Sequence, residues 1–352
     1  LFFTPRYWSD LQPYSDLDFV YRPVRTITFA VDYFLWGLNP AGYHFTNLLL
    51  HAANVLLIFY LITVIGRSTG DALPQNNARG SWLMGLPFLT AALFAVHPVH
   101  TESVTYVKNR SDLLALLFFL AAWLIFVRTG APVRRLTRLA GSLLCFALAV
   151  LSKEVALTLP GVLAFHAFCF QDKKERSHSY RWIVPYGLMI LVYGGFILAL
   201  RVRAGIPADD FHISAGRHAL AVVKTVGTYL SLLAVPFHLN ADRAFFIPHS
   251  IREPAVLLSL AVLAAIAVAA VLARRRSRTI FFGIGFMLLT LIPPANIIFL
   301  ESRPIAEQRL YIPSLGFCLI LAWLINRLYR FGLKKKAWIV LPWLIGGLVM
   351  VG

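Results

Sequence analysis

Residues 95–112 read Ala-Val-His-Pro-Val-His-Thr-Glu-Ser-Val-Thr-Tyr-Val-Lys-Asn-Arg-Ser-Asp and lie between two strongly apolar runs. Within them, His97, His100, Glu102, Arg110 and Asp112 bring acid, base and anion-binding groups into one short loop. Ionisable side chains at a membrane boundary are expensive to desolvate, so such a cluster points to a site rather than to a plain connection. A positioned carboxylate or imidazole can move a proton. Arg110, beside a helix start, offers a seat for an anion. His97-Pro98 is expected to end one helix, and Ser111-Asp112 reads as the N-cap of the next, which gives Asp112 a structural reading as well.

Four further groups carry comparable chemistry. Arg22, in Tyr21-Arg22-Pro23-Val24, suits a bidentate phosphate clamp or a snorkel to lipid headgroups. His44, Asn47 and His51 follow at spacings of three and four, with Asn54 extending the stripe, so they share a helical face expected to point into the bundle. That stripe can line a site or act as hydrogen-bonding glue between helices; a metal site is disfavoured because no carboxylate stands at matching spacing. Ser152-Lys153-Glu154 interrupts an apolar run, either as an ion pair between neighbours or with Lys153 meeting a lipid-linked phosphate. Pro293-Pro294-Ala295-Asn296 and the stretch 301–314 frame a last polar loop, in which Glu307, Arg309 and Tyr311 open the following helix.

Apolar elements must position these groups. Of 352 residues, 59% are hydrophobic and only 14% charged, and the mean hydropathy is +0.70. Apolar blocks are expected near 41–66, 82–97, 111–128, 138–152, 155–170, 182–203, 218–237, 254–273, 279–299, 309–329 and 336–352. Their length is that of membrane-spanning helices. The expected fold is therefore all-α, a polytopic transmembrane bundle of about ten to eleven segments. Residues 1–40 are expected to form an extracytoplasmic loop with an interfacial helix over 25–38, and 41–352 a multi-helix membrane domain, both ends reading as truncated. The three cysteines lie far apart inside apolar blocks and read as buried thiols.

The net charge of +17 invites a nucleic-acid reading, but its distribution argues against one. Short basic clusters (128–138, 173–181, 274–278, 327–336) fall between apolar blocks, as the positive-inside rule requires of cytoplasmic loops. With those loops inside, only Asp71, Asp172 and Glu175 of the 16 acids share their side. The chemistry is then extracytoplasmic. One conflict remains: if every segment spans, parity puts the Arg274 cluster outside. A re-entrant or interfacial 218–237 removes it.

Walker, GxGxxG and HExxH motifs are lacking. A secondary transporter would show inverted repeats with interrupted helices at the midplane. Polar groups gathered on one face favour an enzyme instead.

Tyr-Arg-Pro-Val (21–24), Gly-Leu-Asn-Pro-Ala-Gly-Tyr-His-Phe-Thr-Asn-Leu-Leu-Leu-His (37–51), Leu-Phe-Ala-Val-His-Pro-Val-His-Thr-Glu-Ser-Val (93–104), Leu-Ser-Lys-Glu (151–154) and Glu-Gln-Arg-Leu-Tyr-Ile-Pro-Ser (307–314) occur in order. Together they resemble the membrane part of the transmembrane and tetratricopeptide-repeat O-mannosyltransferase family, including its bacterial relatives. The resemblance implies a bundle of GT-C type that transfers a hexose, such as mannose, from a polyprenyl-phosphate donor to Ser/Thr hydroxyls of proteins. It implies Glu102, Asp18 and His100 as catalytic candidates. Arg22, His44, Asn47, His97, Arg110, Lys153, Glu154, Glu307, Arg309 and Tyr311 become substrate-side candidates. The family's acidic pair in the first outer loop is not reproduced by Asp10, Asp16 and Asp18, which places that pair upstream of Leu1 or leaves it out. The expected partners are the lipid-linked donor, a protein acceptor, the bilayer and other membrane subunits, with no nucleic acid. No cofactor is expected with certainty, a divalent metal being left open, and the expected location is a bacterial inner membrane with a periplasm-facing site. The alternatives are a non-catalytic membrane subunit on the same scaffold and a lipid-linked saccharide transporter.

Overall fold

A computed structural model describes residues 21–69, 81–128, 135–203, 214–237, 239–240, 243–295, 297 and 304–335. Among them the regular structure is helical throughout: α1 (Pro23–Trp36), α2 (Pro40–Thr69), α3 (Leu86–Val96), the short α4 (Thr101–Thr105), α5 (Arg110–Val127), α6 (Arg135–Ser152), α7 (Leu159–Phe170), α8 (Lys173–Arg203), α9 (Ala215–Ala234), α10 (Pro254–Arg276), α11 (Arg278–Leu291) and α12 (Ser314–Lys335). The protein is an all-α polytopic membrane bundle. The expected segment 336–352 and the N-terminal part of the expected outer loop lie outside the described residues.

The segments do not share one length. The helical stretches 40–66, 107–127, 173–203 and 254–276 are long and apolar enough to cross a membrane, while 86–96, 136–152, 154–170 and 278–291 are shorter apolar helices. At 1.5 Å per residue, an 11-residue helix such as α3 covers about half of a ~30 Å hydrocarbon core. Local chemistry sets these limits. Pro293-Pro294 stops α11 at Leu291, well before the expected end at 299, and a 3₁₀ turn over Glu307–Leu310 delays α12 to Ser314.

The α1–α2 corner shows how sequence dictates one such junction. Gly37 takes φ 58°, a left-handed conformation that suits glycine, and its N–H closes on the Tyr33 carbonyl at 2.9 Å. Asn39 then caps α2 through its side chain, accepting from the Ala41 N–H at 3.1 Å, with Pro40 at the first helical position. Trp36 lies flat on Gly42, where a Cβ would sit 2.2 Å from the ring. The Tyr43 hydroxyl closes the corner on the Gly37 carbonyl at 2.9 Å.

At the centre stands α5. Within the stretch 107–127, 72% of the most apolar window is buried in protein, against 6% for α8 and 11% for α10, which present their apolar sides outward. Trp123 of α5 stacks on Phe286 at 5.8 Å and packs against Phe282 and Phe119. This aromatic wedge joins α5 to α11.

The basic clusters collect at one end. Arg176 and Arg274 both lie over the Phe168 ring, at 5.4 and 5.7 Å, and the Arg138 guanidinium reaches the Arg128 carbonyl. The Arg274 cluster thus sits beside the 173–181 cluster, as the positive-inside pattern demands. Helix α9, the segment suspected of being interfacial, is tied near both termini to segments at the opposite end. Arg217 Nε donates to the Pro248 carbonyl at 3.4 Å, and the Leu233 carbonyl meets His97 at 3.2 Å. Pro248 shortly precedes the start of α10, remote from Arg274.

Candidate functional site

Most of the chemistry-bearing residues collect at the end opposite the arginines, around the first turn of α5. That turn begins at Arg110, preceded by Asn109, and lacks a side-chain cap. The expected N-cap at Ser111-Asp112 is therefore corrected: both residues lie inside the helix. Three consecutive side chains, Arg110, Ser111 and Asp112, each bind a different element.

Arg110 is enclosed on every side. Its guanidinium meets the Asp32 carboxylate at 2.5 Å, with side-chain exposures of 0% and 3%. Nε donates to Asn47 Oδ1 at 2.8 Å, and the two Nη groups reach the Thr28 and Tyr43 carbonyls at 3.3 and 3.1 Å. The Phe29 ring lies 4.7 Å beneath it. An arginine so committed fixes α1 and α2 against α5, and in this structure it has no donor directed at a substrate phosphate. Asp32 was not singled out from sequence. The available signal was its position as the sole acid of α1, with Thr46 donating to its other oxygen at 2.8 Å.

Ser111 accepts from Arg22 Nη1 at 3.4 Å, and Asp112 accepts both contacts of the Lys153 ammonium, at 2.6 and 2.7 Å. Glu154 faces the other way and pairs with Arg22 at 2.7 Å. Lys153 and Glu154 thus form no pair with each other. Lys153 has extended backbone (φ −162°, ψ 139°), which sends adjacent side chains to opposite sides. Of this group, Glu154 is open to solvent at 54% side-chain exposure and Arg22 partly so at 16%. Lys153 and Asp112 are nearly enclosed, at 10% and 3%.

The expected stripe on α2 is split. Asn47, His51 and Asn54 are buried, whereas His44 is exposed and leaves the interior. Asn47 joins Arg110 to the Val104 carbonyl at 3.1 Å. His51 and Asn54 converge on the Tyr311 hydroxyl at 2.8 and 3.2 Å.

Glu102 anchors a second group. It is half-buried, and its Oε2 accepts from the Gln308 N–H at 3.1 Å. With the Gln308 amide turned so that its nitrogen faces the carboxylate, two further contacts form at 2.8 and 2.5 Å. Gln308, uncharged between Glu307 and Arg309, was missed. Asn109 Nδ2 donates to the Glu102 carbonyl at 3.2 Å, linking this group to the α5 turn. Glu307 is buried, accepting from the Asn240 N–H at 2.7 Å and pairing with Arg243 at 3.1 Å. Arg309 is half-buried and donates to the Pro304 carbonyl at 3.0 Å.

Both loop histidines are framework groups. His97 faces the Leu233 carbonyl through Nε2, so Nε2 carries the proton and Nδ1 accepts from the Val99 N–H at 3.3 Å. Burial pushes its pKa down to about 4. His100 is wholly enclosed, with Nε2 2.7 Å from Ser314 Oγ, and burial holds it well below its ordinary value. A side chain sealed in this way cannot touch an acceptor in this structure, which corrects the catalytic expectation for His100. Asp18, the remaining catalytic candidate, lies outside the described residues. Among the described residues no group of three or more His, Cys, Asp or Glu side chains is placed to hold a metal ion.

What the arrangement offers is a half-buried carboxylate at Glu102 and a partly open cation at Arg22. A dense internal network supports both. No family model matches the chain, and no solved structure resembles it significantly. Among curated proteins it is 28% identical over 369 residues to Protein O-mannosyl-transferase Tmtc3 of Drosophila melanogaster, covering 89% of this chain and 40% of that protein. It is 30% identical over 363 residues to Protein O-mannosyl-transferase TMTC4 of Homo sapiens (90% and 48%) and 28% identical over 333 residues to Protein O-mannosyl-transferase F38B6.6 of Caenorhabditis elegans (93% and 45%). The chain spans less than half the length of these relatives. Along about nine-tenths of its length the chain is similar to these protein O-mannosyl-transferases, in line with the resemblance carried by its sequence motifs.

Proposed function

We propose that this chain is the membrane part of a glycosyltransferase of GT-C type that moves a hexose, such as mannose, from a polyprenyl-phosphate donor to a Ser or Thr hydroxyl of a protein. The observation that carries the reading is the convergence at one end of the bundle: Glu102 and Arg22 stay accessible while Arg110, Asp112 and Lys153 lock α1, α2 and the 153–158 turn beneath them. The names of the relatives support a sugar as the transferred group. The Arg/Lys clusters at the other end support an extracytoplasmic site, since basic loops are retained in the cytoplasm.

The reaction breaks the bond between the sugar C1 and the phosphate oxygen, whose electron pair leaves with the polyprenyl phosphate. The acceptor oxygen forms the new C1–O bond with inversion, and its proton passes to a carboxylate. Glu102 is the carboxylate we assign to that proton. Arg22 is the cation we assign to the phosphate, where a fixed positive charge stabilises the leaving group as charge develops. Lys153 sets the position of Asp112 and, through the neighbouring Ser111, the reach of Arg22.

The test uses full-length protein in liposomes with a polyprenyl-phosphate mannose donor and a Ser/Thr peptide, read by mass spectrometry of the peptide. Wild type should add one hexose per modified hydroxyl, and Glu102→Gln should lose about a hundredfold or more in rate. Absence of transfer by wild type, with the bundle intact by melting, would instead point to a non-catalytic subunit. Donor translocation without transfer would point to a transporter.

A further inference from the structure

Beneath the turn that carries Gln308 runs a buried polar chain with a single consistent set of donors. The Ala95 carbonyl can only accept, so His51 Nε2 donates to it at 3.0 Å and Nδ1 is left to accept. The Tyr311 hydroxyl therefore donates to His51 Nδ1 at 2.8 Å while accepting from Asn54 Nδ2 at 3.2 Å. One helical turn further on, Ser314 Oγ donates to the Tyr311 carbonyl at 2.8 Å and accepts from His100 Nε2 at 2.7 Å. Phe94 packs against the His100 and Tyr311 rings at 4.3 and 5.2 Å and shields the chain from water.

Two short segments are thereby bolted together at successive points. His100 meets Ser314, and Glu102 meets Gln308. Tyr311, midway between Gln308 and Ser314 in sequence, is held from below by α2. A rotation of the 307–311 turn would carry the Gln308 N–H away from the Glu102 carboxylate. Resting on the transferase reading above, we infer that Tyr311 is a positioning residue: through His51 and Asn54 it fixes the turn that holds Glu102 in its proton-accepting orientation. Ser314 and His100 make the second tie.

Tyr311→Phe removes only the hydroxyl and keeps the ring packing. Tyr186→Phe is the matched control, because it removes an equally buried hydroxyl, 2.6 Å from Ser142 Oγ, remote from Glu102 in the fold. Tyr311→Phe should lower kcat by about tenfold to a hundredfold with donor KM little changed. Tyr186→Phe should melt earlier by a similar amount and keep kcat near the wild-type value. A kcat in Tyr311→Phe no lower than in Tyr186→Phe, whatever its melting temperature, overturns the inference. Hydrogen exchange of the amides in 98–109, measured on the same proteins, judges the coupling without any turnover. Faster exchange in Tyr311→Phe than in Tyr186→Phe supports it, and equal exchange overturns it. Failure of wild type to transfer sugar would overturn the transferase reading and leave the coupling to that exchange result.

Discussion

The Arg110 guanidinium and the Asp32 carboxylate meet at 2.5 Å with essentially no exposure to solvent, joining α5 to α1. Removing one partner of a buried pair leaves an uncompensated charge and typically costs about 3–5 kcal/mol. Arg110→Ala also strips donors from Asn47 and from the Thr28 and Tyr43 carbonyls. Asp32→Asn and Arg110→Ala are therefore expected to melt well below wild type in detergent. Both should be cleaved at the α1–α2 corner around Leu38 by a protease that leaves wild type intact there. Melting within a degree of wild type would show that α1 is held by its apolar contacts instead.

A second prediction concerns acid. His97 and His100 are neutral in the fold, with His97 held to about 4 and His100 lower than its ordinary value, both through burial. In the unfolded chain each titrates near 6.5. The unfolded state therefore binds more protons below that pH, so the stability these residues contribute is complete above about 6.5 and falls as the pH drops. For His97 the fall levels off near 4. Melting from pH 7.5 to 4.5 should show wild type losing more stability than a His97→Gln, His100→Gln double variant. Parallel curves would mean that other groups set the acid sensitivity.

Close helix contact gives a third. Gly316 of α12 faces Gly283 and Met287 of α11; a Cβ on Gly316 would sit 2.6 Å from the Gly283 carbonyl oxygen and 2.8 Å from the Met287 nitrogen. Both obstacles are backbone, so the helices themselves must part. Small residues at membrane-helix crossings exist for such approaches. Gly316→Ala should cost about 1–3 kcal/mol by overpacking. Gly187→Ala in α8 makes the comparison, since nothing lies within 4 Å of its Cβ position and no destabilisation is expected.

Much of the architecture was legible because apolar length and punctuation are local signals. The block 41–66 became α2 within a few residues, and the helix expected over 25–38 is α1. Pairing was less legible. Lys153 and Glu154 invited a neighbour pair, but an extended backbone at Lys153 sends them to Asp112 and Arg22. Arg110 read as an anion seat because its anion, Asp32, lies in another helix, and sequence spacing cannot reveal a contact across 78 positions. Gln308 carried no charge to attract notice, although its backbone N–H is what Glu102 accepts. The histidines were conspicuous by type, and their burial by Phe94, Tyr311 and the end of α9 is a property of the fold alone.

The last prediction separates substrate contact from stability at Arg22. Its pair with Glu154 is open on the carboxylate side, and partly exposed pairs contribute only about 0–1 kcal/mol. The hydrogen bond to Ser111 is long, at 3.4 Å. Arg22→Ala should consequently melt within a few degrees of wild type. If Arg22 meets the donor phosphate, the same variant should raise donor KM and lower kcat, because the cation acts on both the bound phosphate and the departing one. Arg22→Lys should restore part of the KM but little of the kcat, since a point charge cannot reproduce a bidentate fork. Steady-state kinetics with varied donor, alongside melting, distinguish the cases. A variant that melts normally and transfers at the wild-type rate would remove Arg22 from the site and leave its contacts with Glu154 and Ser111 as framework.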